Sequence, residues 1–422
     1  MNQFVKGSQL VRVPVNSVSL GMYIAKLDRP WVGTPFMYQG FRINDNKDLR
    51  ALREYCQEVY VDVVKSRPAP LQEQEQDSLA NVKKVKYQST IDVRQEMGSA
   101  NSGYSQSLKQ VNSMLEEVEK GDDLDVAIAR GSVKTCTDSI VRNPNAMVWL
   151  THIKQKDYVT AQHCLRVALL AISLGRHLGL PKQNLETLGL CGMLHDVGKS
   201  KISVELLNKK GTLTSKEFNI LKSHAILGHT MLAKDKLLPA QVLDAALSHH
   251  ERIDGQGYPN QVSASNLSFY TRIVSIVDAY DAMISERPYK KAMTSSQALK
   301  TIYDERGRQF DHHLVVKFIE SMGLYPPGSL VEMSSGEVGV VIAAEASARL
   351  KPTVALLTDS NKNPTKEVIV NLKKQRDVRK PLSVKQVLLD GSYGIDVNDY
   401  TLRIAEGQGG TTSKLGKIFA WG

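Results

Sequence analysis

Histidine and aspartate residues recur in the middle of this chain at spacings that suit a metal centre. The adjacent pair His195-Asp196 is followed further along by the pair His249-His250. Neighbouring residues on a helix point roughly 100° apart, so His195 and Asp196 reach the same metals only if the carboxylate bridges two ions. A bridging carboxylate of this kind suits a two-metal hydrolase acting on phosphate esters.

Seven residues make up the candidate ligand set. A single histidine on a helix is more often a surface or core-edge residue than a ligand, so no member is convincing alone. Together they offer neutral imidazole and carboxylate, the ligands expected for iron, manganese or zinc, and no cysteine stands at metal-ligand spacing beside them. The candidates are His163, His195, Asp196, His224, His249, His250 and Asp278.

Apolar runs stand next to several of these ligands and predict buried helices. The runs are Val167–Ala171, Leu188–Leu194 and Ile273–Val277. A carboxylate at the end of such a run stays ionised only if a cation compensates it. For Asp278 alone, a buried salt bridge or a helix cap explains the pattern equally well, but the converging set favours a metal cluster.

An ordered set of motifs runs along the segment from about Val159 to Met322. The motifs are His163-x-x-Arg166-Val167, His195-Asp196-x-Gly198-Lys199, His224, His249-His250-Glu251-Arg252-x-Asp254-Gly255-x-Gly257-Tyr258-Pro259, Asp278-Ala279-Tyr280-Asp281-Ala282, Arg287-Pro288-Tyr289-Lys290 and Phe310-Asp311. The His-Asp dipeptide alone is a weak signal, whereas the ordered set is specific. With these motifs the segment resembles the HD-GYP domain, a branch of the HD phosphohydrolase superfamily associated with hydrolysis of cyclic di-GMP.

The resemblance implies that the seven candidates hold two divalent transition-metal ions, with iron or manganese favoured, and that Asp196 bridges them. Some family members carry a glutamate one turn before the first histidine, which supplies a third metal. Val159 stands at that position here, so two metals are expected. Asp196 and Lys199 are the predicted catalytic residues, because Lys199 follows Asp196 by one helical turn and its ammonium can reach a metal-bound phosphate.

Five residues are predicted to contact the substrate: Lys199, Tyr258, Asp281, Arg287 and Lys290. Tyr258 lies in a turn where Gly255 and Gly257 permit backbone conformations closed to other residues, and in the family this turn closes over the ligand. By resemblance the last three residues reach the nucleotide, with the two cations on its phosphate or guanine edge. An ordinary surface ion pair between Asp281 and Arg287 is the alternative.

The expected fold class is mainly α, with four segments along the chain. Residues 1–65 alternate β-rich pieces with a helix near Asn46–Cys56 and resemble the small α+β N-terminal domain of unknown function found in one HD-GYP subgroup. Residues 66–145 are expected to form a linker and connecting helices. The all-helical HD-GYP domain spans 146–325, and 326–422 form a β-rich appendage with strands near 330–333, 339–342, 354–357 and 368–370.

Within the second segment, the stretch from Ser66 to about Gly103 is rich in Gln, Lys, Glu and Ser. That composition predicts a solvated linker or an exposed helix. The helices that follow are expected to pack against the catalytic domain, and a dimer seam is the secondary possibility.

Composition adds broad limits. The 422 residues are 42% hydrophobic, and no apolar run reaches the roughly 18 residues of a membrane span. The N-terminus lacks an apolar signal core, so we expect a cytoplasmic protein. Four scattered cysteines read as reduced thiols. The net charge of +10 favours anionic ligands, but the basic stretch between Lys373 and Lys385 lacks aromatics, so no stable nucleic-acid partner is expected.

The leading function is therefore a metal-dependent phosphodiesterase that hydrolyses cyclic di-GMP to linear pGpG and/or GMP in bacterial second-messenger signalling. The alternatives are hydrolysis of 3',3'-cyclic GMP-AMP and a catalytically weak protein that binds cyclic dinucleotides. A general HD phosphohydrolase acting on mononucleotides or alarmones is disfavoured by the Gly257-Tyr258-Pro259 turn and by Arg287 with Lys290. The sequence leaves open a homodimer or a signalling protein partner.

Overall fold

The computed structural model describes residues 10–19, 22–29, 34, 36, 40–43, 46–62, 83–153, 158–209, 211–285, 292–345, 348, 350–375 and 381–407. These residues belong to two compact units. The first unit comprises Met1–Asn81, His195–Asn208 and Thr212–Thr271, and the second comprises Val82–Leu194, Lys209–Gly211 and Arg272–Gly422. Each unit contains part of the candidate ligand set.

A four-stranded antiparallel sheet and one helix form the N-terminal part of the first unit. The strands lie in the order β1 (Leu10–Pro14), β4 (Glu58–Asp62), β2 (Tyr23–Leu27) and β3 (Phe41–Arg42), and α1 (Asn46–Tyr55) precedes β4. The side chains of Val13, Val59 and Val61 are buried in its core, as expected for strands with one solvated face. The predicted α+β character of this domain is confirmed.

Helices of the second unit follow: α2 (Val93–Lys120), α3 (Val126–Arg142), α4 (Pro144–Leu150), α5 (Val159–Leu178) and α6 (Lys182–Leu194). Asp92 caps α2 by accepting a hydrogen bond from the Arg94 amide. Helix α2 begins inside the stretch whose composition predicted a solvated linker or exposed helix, yet Met97, Ala100 and Tyr104 are fully buried. Residues 83–86 and 88–90 are exposed, as the composition predicted, whereas the helix itself is exposed on one face only, because its polar residues lie on the outer face and its apolar residues on the buried one.

Helices α5 and α6 cross closely at the centre of the second unit. A Cβ added to Gly192 of α6 would lie 2.8 Å from the Cα of Ala168 in α5, so only glycine permits this approach. The side chains of α5 are buried without interruption from Cys164 to Gly175. The prediction of buried helices beside His163 and His195 is confirmed.

The first unit resumes with a short 3₁₀ helix (Val197–Lys201), then α7 (Val204–Leu207), α8 (Ser215–Lys222), α9 (His224–Leu232) and α10 (Ala240–Ser248). Helix α6 ends at Leu194, so His195 and Asp196 lie in the turn before the 3₁₀ helix and not on an α-helix as the sequence suggested. In this turn the Nε2 of His195 lies 3.3 Å from Oδ2 of Asp196.

Three further helices complete the helical region: α11 (Phe269–Ile284), α12 (Ser295–Asp304) and α13 (His312–Met322). Asp311 caps α13 by accepting a hydrogen bond from the Leu314 amide. The first three residues of α11 belong to the first unit, and the rest of the helix, from Arg272, belongs to the second.

The C-terminal part is a five-stranded antiparallel sheet in the order β8 (Pro364–Asn371), β7 (Thr353–Thr358), β6 (Val338–Ala343), β5 (Leu330–Met333) and β9 (Val384–Leu388). Strands β5 to β8 contain the four predicted ones, whereas β9 and helix α14 (Val397–Ala405) were not predicted. Within the second unit, the indole of Trp149 donates a hydrogen bond of 2.8 Å to the hydroxyl of Thr401 in α14. The mainly α fold with small sheets near both ends is confirmed.

The described residues also bear on the expectations for membrane-spanning helices and cysteines. No helix in its described ranges combines the length and apolarity needed to cross a bilayer. The four cysteines, Cys56, Cys136, Cys164 and Cys191, are buried free thiols.

Candidate metal centre

Four of the candidate ligands come together in the first unit. One ligand atom from each of Asp196, His224, His249 and His250 lies within 4.8 Å of the others. Asp196 follows the end of α6, His224 begins α9, and the two histidines follow the end of α10. The first three side chains are buried and His250 is half-buried, so the cluster is largely shielded from water.

Close backbone packing positions Asp196 against α9. A Cβ added to Gly198 would lie 2.0 Å from the carbonyl oxygen of His224 and 2.4 Å from the amide nitrogen of Gly228. The glycine after the His-Asp pair is therefore needed for approach to α9, which brings the turn carrying Asp196 to the start of the helix carrying His224.

Backbone carbonyls fix the orientation of two histidine rings. The Nδ1 of His224 lies 2.6 Å from the carbonyl oxygen of Leu221, and the Nδ1 of His249 lies 3.0 Å from that of Ala245. A carbonyl oxygen only accepts hydrogen bonds, so each Nδ1 carries the hydrogen and each Nε2 keeps its lone pair. This tautomer is the one that binds metals through Nε2.

The Nε2 atoms and a carboxylate oxygen are crowded together. The two Nε2 atoms of His224 and His249 are 3.2 Å apart, and that of His224 lies 3.3 Å from Oδ1 of Asp196. Burial lowers the pKa of His224 to about 3; Asp196 opposes this shift, while His249 and Lys199 reinforce it. Because three electron-pair donors face one another without an intervening proton, the residues fit a bound cation.

His195 and Lys199 complete the surroundings of Asp196. The Nε2 of His195 lies 3.3 Å from Oδ2 of Asp196, and its ring meets the ring of His249 edge-on at 4.8 Å. The ammonium of Lys199 forms an ion pair with the same carboxylate oxygen. The predicted catalytic pair is thus in direct contact, with the Lys199 side chain 24% exposed and able to meet a ligand.

The Gly-Tyr-Pro turn folds back onto the histidine pair. The ring of Tyr258 lies 4.6 Å from that of His250. Gly255 has φ of +74°, in the left-handed region that glycine favours, whereas Gly257 is required by space: its Cβ would lie 2.4 Å from the Cα of Glu251. Sequence reasoning gave both glycines a conformational role, which holds for Gly255 only.

Glu251 fastens this turn and is a functional residue that the sequence analysis missed. Its side chain is buried, and its carboxylate accepts hydrogen bonds from the backbone amides of Asn260 and Val262. The sequence analysis included Glu251 in the motif after His249 and His250 but assigned no role to its carboxylate. The signal available in the sequence was an acidic residue directly after the two candidate ligands His249 and His250.

The second unit holds the remaining candidates, His163 on α5 and Asp278 on α11. The Nε2 of His163 lies 3.2 Å from Oδ1 of Asp278, and its Nδ1 lies 2.7 Å from Oδ2 of Asp281. The Asp281 carboxylate accepts from Nδ1, which leaves Nε2 as the nitrogen with a lone pair, beside Asp278. A carboxylate that orients a histidine in this way is common behind metal ligands.

Asp281, which was predicted to contact the nucleotide, is instead fully buried. Its carboxylate accepts hydrogen bonds from Nε and Nη2 of Arg166 at 2.6 and 3.1 Å. Burial acts to raise the pKa of Asp281, but Arg166 and His163 outweigh it and lower that pKa to about 2. The carboxylate therefore stays ionised and orients His163, and this burial explains why it is not placed to meet a substrate.

Two predicted substrate contacts, Arg287 and Lys290, lie outside the described residues. Arg166 is a second residue whose role the sequence analysis missed, although it stands three positions after His163 in the first motif. A charged residue within an apolar, helical run was the available signal, because such a charge must have a buried partner.

Three family models match the chain. Residues 143–314 match an HD domain, residues 10–129 match a domain of unknown function termed DUF3391, and residues 330–380 match a KOW domain associated with HD domain. The three matches cover the helical region that carries the ligands and both flanking parts of the chain.

The chain is also similar in sequence to curated proteins. The chain is 34% identical over 371 residues to the cyclic di-GMP phosphodiesterase PA4108 of Pseudomonas aeruginosa, a match covering 86% of this chain and 89% of that protein. It is 36% identical over 165 residues to the cyclic di-GMP phosphodiesterase response regulator RpfG of Xanthomonas campestris, covering 39% and 43%. It is 32% identical over 169 residues to the 3'3'-cGAMP-specific phosphodiesterase 2 of Vibrio cholerae, covering 40% and 32%.

Proposed function

This chain belongs to the HD-GYP family of cyclic di-GMP phosphodiesterases, and from that premise we propose that it hydrolyses cyclic di-GMP to linear pGpG and/or GMP. The enzyme class, a metal-dependent phosphodiesterase, follows from the family. The residue roles, the metal and the exact substrate are proposals supported by the geometry of the two units.

We propose that two ions, iron or manganese, are held by the seven ligands His163, His195, Asp196, His224, His249, His250 and Asp278. Support comes from the donor atoms, which are imidazole nitrogens with lone pairs and carboxylate oxygens. When bound, such a pair of ions lowers the pKa of a shared water and neutralises charge on the phosphoryl oxygens.

Lys199 and Asp196 have separate tasks in this proposal. Asp196 is a buried anion surrounded by three histidines, so it supplies the negative charge that draws cations into the site. Lys199 contacts Asp196 from a half-exposed position, where its ammonium can also meet a phosphate oxygen. Charge grows on those oxygens during attack, so an ammonium held there stabilises the transition state more than the bound substrate.

Substrate orientation is assigned to residues on the turn and beyond α11. Tyr258 presents a half-buried ring beside His250 and is proposed to cover the bound nucleotide. Arg287 and Lys290 are proposed to pair with its remote phosphate or a guanine edge. Asp281 acts behind the site in this proposal, since Arg166 and His163 occupy its carboxylate.

The observation that best supports this function is the close approach of donor atoms from His224, His249 and Asp196, an arrangement that suits a bound cation. The test is an assay of anaerobically purified protein, reconstituted with iron or manganese, on cyclic di-GMP with chromatographic identification of the products. We expect turnover that a chelator abolishes and that the same metal restores. Full metal loading without turnover of cyclic di-GMP would refute the proposal.

A second substrate has specific support. One relative is named for 3'3'-cGAMP, and the chain is 32% identical to it across the matched region. Including 3',3'-cyclic GMP-AMP in the same assay decides between the two, and a higher kcat/KM for it than for cyclic di-GMP would reassign the substrate.

We also propose the domain division 1–65, 66–145, 146–325 and 326–422 and a cytoplasmic location. The family matches support three modules in this order, although the first match extends to residue 129. The four buried free thiols accord with a reducing compartment. A homodimer or a signalling protein partner stays a proposal that size measurement in solution can test.

A further inference from the structure

An exposed aromatic ring and an ammonium group lie next to the Gly-Tyr-Pro turn. Phe218 on α8 is 42% exposed, and its ring meets that of Tyr258 edge-on, with centroids 6.3 Å apart. The Nζ of Lys222, one turn further along α8, lies 4.5 Å from the centroid of Phe218 and 5.3 Å from that of Tyr258. We call Phe218, Lys222 and Tyr258 the base platform.

The base platform adjoins the metal ligands within the first unit. Tyr258 joins the two, because its ring contacts both Phe218 and the ligand His250. Helix α8 is held by a capping box, in which Thr214 and Glu217 bond reciprocally through side chain and backbone. The residues of the base platform therefore lie on a capped helix and on a turn whose backbone amides are hydrogen-bonded to Glu251.

The chemistry of the platform matches a purine base. Aromatic rings beside a cation bind nucleobases by stacking, which is independent of base identity. A lysine ammonium only donates hydrogen bonds, so it pairs with O6 and N7 of guanine, whereas the N6 amino group of adenine is itself a donor. The arrangement therefore favours guanine over adenine.

We propose that the base platform is the subsite that binds one guanine of the substrate, with Phe218 stacking on the base and Lys222 selecting guanine. This inference rests on the proposed function, since it names the part of the cyclic dinucleotide that the first unit recognises. It gives roles to Phe218 and Lys222, which stand outside the motif residues of the family resemblance.

The test measures binding and turnover separately. Metal-loaded protein is titrated by calorimetry with cyclic di-GMP, 3',3'-cyclic GMP-AMP and cyclic di-AMP, and kcat and KM are measured for each. Phe218→Leu keeps an apolar side chain but removes the stacking face, so we expect Kd and KM for cyclic di-GMP to rise about tenfold at unchanged kcat. Phe218→Trp should restore binding.

Lys222 variants test selectivity. Lys222→Gln should lower the preference for cyclic di-GMP over cyclic di-AMP by about tenfold, because a glutamine amide pairs well with adenine. Lys222→Arg should keep the preference. Two exposed residues of the same helix serve as controls, Lys216→Gln for charge and Ile220→Ala for apolar surface, and neither should change Kd.

The outcomes separate this inference from the proposed function. If the wild type turns over no cyclic dinucleotide, the proposed function fails, and the calorimetric ratios still test the platform. If Phe218→Leu and Lys222→Gln both leave Kd and selectivity within about twofold of the wild type, the platform is refuted, and the two residues are an ordinary i,i+4 pair on a helix surface.

A separate observation concerns the small N-terminal domain. Its hydrophobic core includes Leu52 and Val59. The same core contains Ile226 of α9 and Leu247 of α10, which are buried, with 5% and 6% of their surface exposed. Ile226 follows the ligand His224 by two positions, and Leu247 precedes the ligand His249 by two. One continuous core therefore packs against both helices next to their ligand histidines.

We infer that the N-terminal domain positions His224 and His249 for metal binding. A packed core transmits displacements of its members because it is nearly free of voids. The Nε2 atoms of the two histidines are 3.2 Å apart, so a small shift of either helix changes the ligand spacing directly. The domain is in this view a structural part of the metal site.

Leu52→Ala tests this inference, because Leu52 is fully buried in the shared core and is not itself a ligand. We expect metal affinity, measured by chelator competition on folded protein, to fall at least fivefold, and Leu52→Met to restore it. Leu372→Ala in the C-terminal sheet core is the matched control and should leave metal affinity unchanged.

Should Leu52→Ala fail to fold, the milder Ile226→Val and Leu247→Val are measured in the same way. Unchanged metal affinity in every folded variant, despite a lowered melting temperature, would refute the positioning role.

Discussion

The charge of a buried carboxylate is compensated differently in the two units. In the first unit, the Asp196 carboxylate lies beside the Nε2 atoms of His224 and His249, which carry lone pairs, and it forms an ion pair with the partly exposed Lys199. In the second unit, Asp281 is neutralised by the buried guanidinium of Arg166, and it holds His163 in a fixed orientation. The first arrangement depends on a bound cation, whereas the second is complete within the protein.

Bound metal and protein charge therefore contribute differently in the two units. Crowded donors in the first unit repel one another unless a cation lies among them. The ion pair in the second unit keeps its ligand oriented before any metal arrives. Removing the Asp196 carboxylate of the first unit should therefore abolish metal loading and chemistry, whereas removing the charge of Asp281 in the second unit should weaken metal affinity by a smaller factor.

The largest effect is expected for Asp196→Ala. Removing the central anion of the first unit leaves the histidines without the charge that attracts cations, so we expect hydrolysis to be abolished and metal content to fall, with folding largely retained. Metal analysis and circular dichroism check both parts. The surface variant Asp304→Ala, whose side chain is 56% exposed, is the control. Near-normal turnover of Asp196→Ala with normal metal content would contradict the proposal that Asp196 is the anion that attracts the metal ions.

Lys199→Ala should reduce kcat by about 10²–10³-fold, by analogy with removal of a donor that stabilises transition-state charge. Metal content should remain close to that of the wild type, because an ammonium cannot be a ligand. Steady-state kinetics at matched metal occupancy measure the effect, and the exposed neighbour Lys201→Ala is the control. A change in KM alone would show that Lys199 binds substrate without taking part in the chemistry.

Asp281→Asn tests the second unit. The variant keeps the shape but loses the charge that pairs with Arg166, so we expect metal affinity or activity to fall about 10–100-fold, as is usual for residues behind metal ligands. Leaving Arg166 buried without its partner should also destabilise the protein by about 3–5 kcal/mol. Urea unfolding with and without metal measures this loss. Full stability together with an increase in KM alone would return Asp281 to the substrate-binding role predicted from the sequence.

Arg287→Ala should have the smallest effect, a rise in KM without a change in kcat, because a cation on a remote phosphate or guanine binds the ground state and the transition state equally. Arg308→Ala, which removes a guanidinium that is 71% exposed, is the matched control. A loss confined to kcat would place Arg287 at the reacting phosphate instead.

The sequence predicted much of the fold and the types of the candidate ligands, but it did not predict the residues that orient those ligands. Uninterrupted apolar runs identified the helices beside His163 and Asp278, because these helices are buried around their circumference at those runs. The burial of one face of α2 was not predicted, since composition does not show that Met97, Ala100 and Tyr104 share one face. Asp281 was misplaced for a related reason: its partners Arg166 and His163 are more than a hundred positions away in sequence.

Space requirements were equally hidden. The sequence shows that Gly198 and Gly257 are glycines, but only the structure shows that backbone from α9 and from His250–Arg252 fills the place of a side chain. Likewise, only the structure shows that the apolar side chains of Phe218 and Ile220 in α8 are both exposed. The role proposed for Phe218 follows from that exposure beside Tyr258.

The most direct test is a titration of metal-free protein with iron or manganese under anaerobic conditions, with bound metal and cyclic di-GMP hydrolysis measured at each step. We expect binding to saturate at two ions per chain and turnover to rise with the second ion. Saturation at a single ion with full turnover would contradict the two-metal centre, and saturation at two ions without hydrolysis of any cyclic dinucleotide would contradict the proposed function itself.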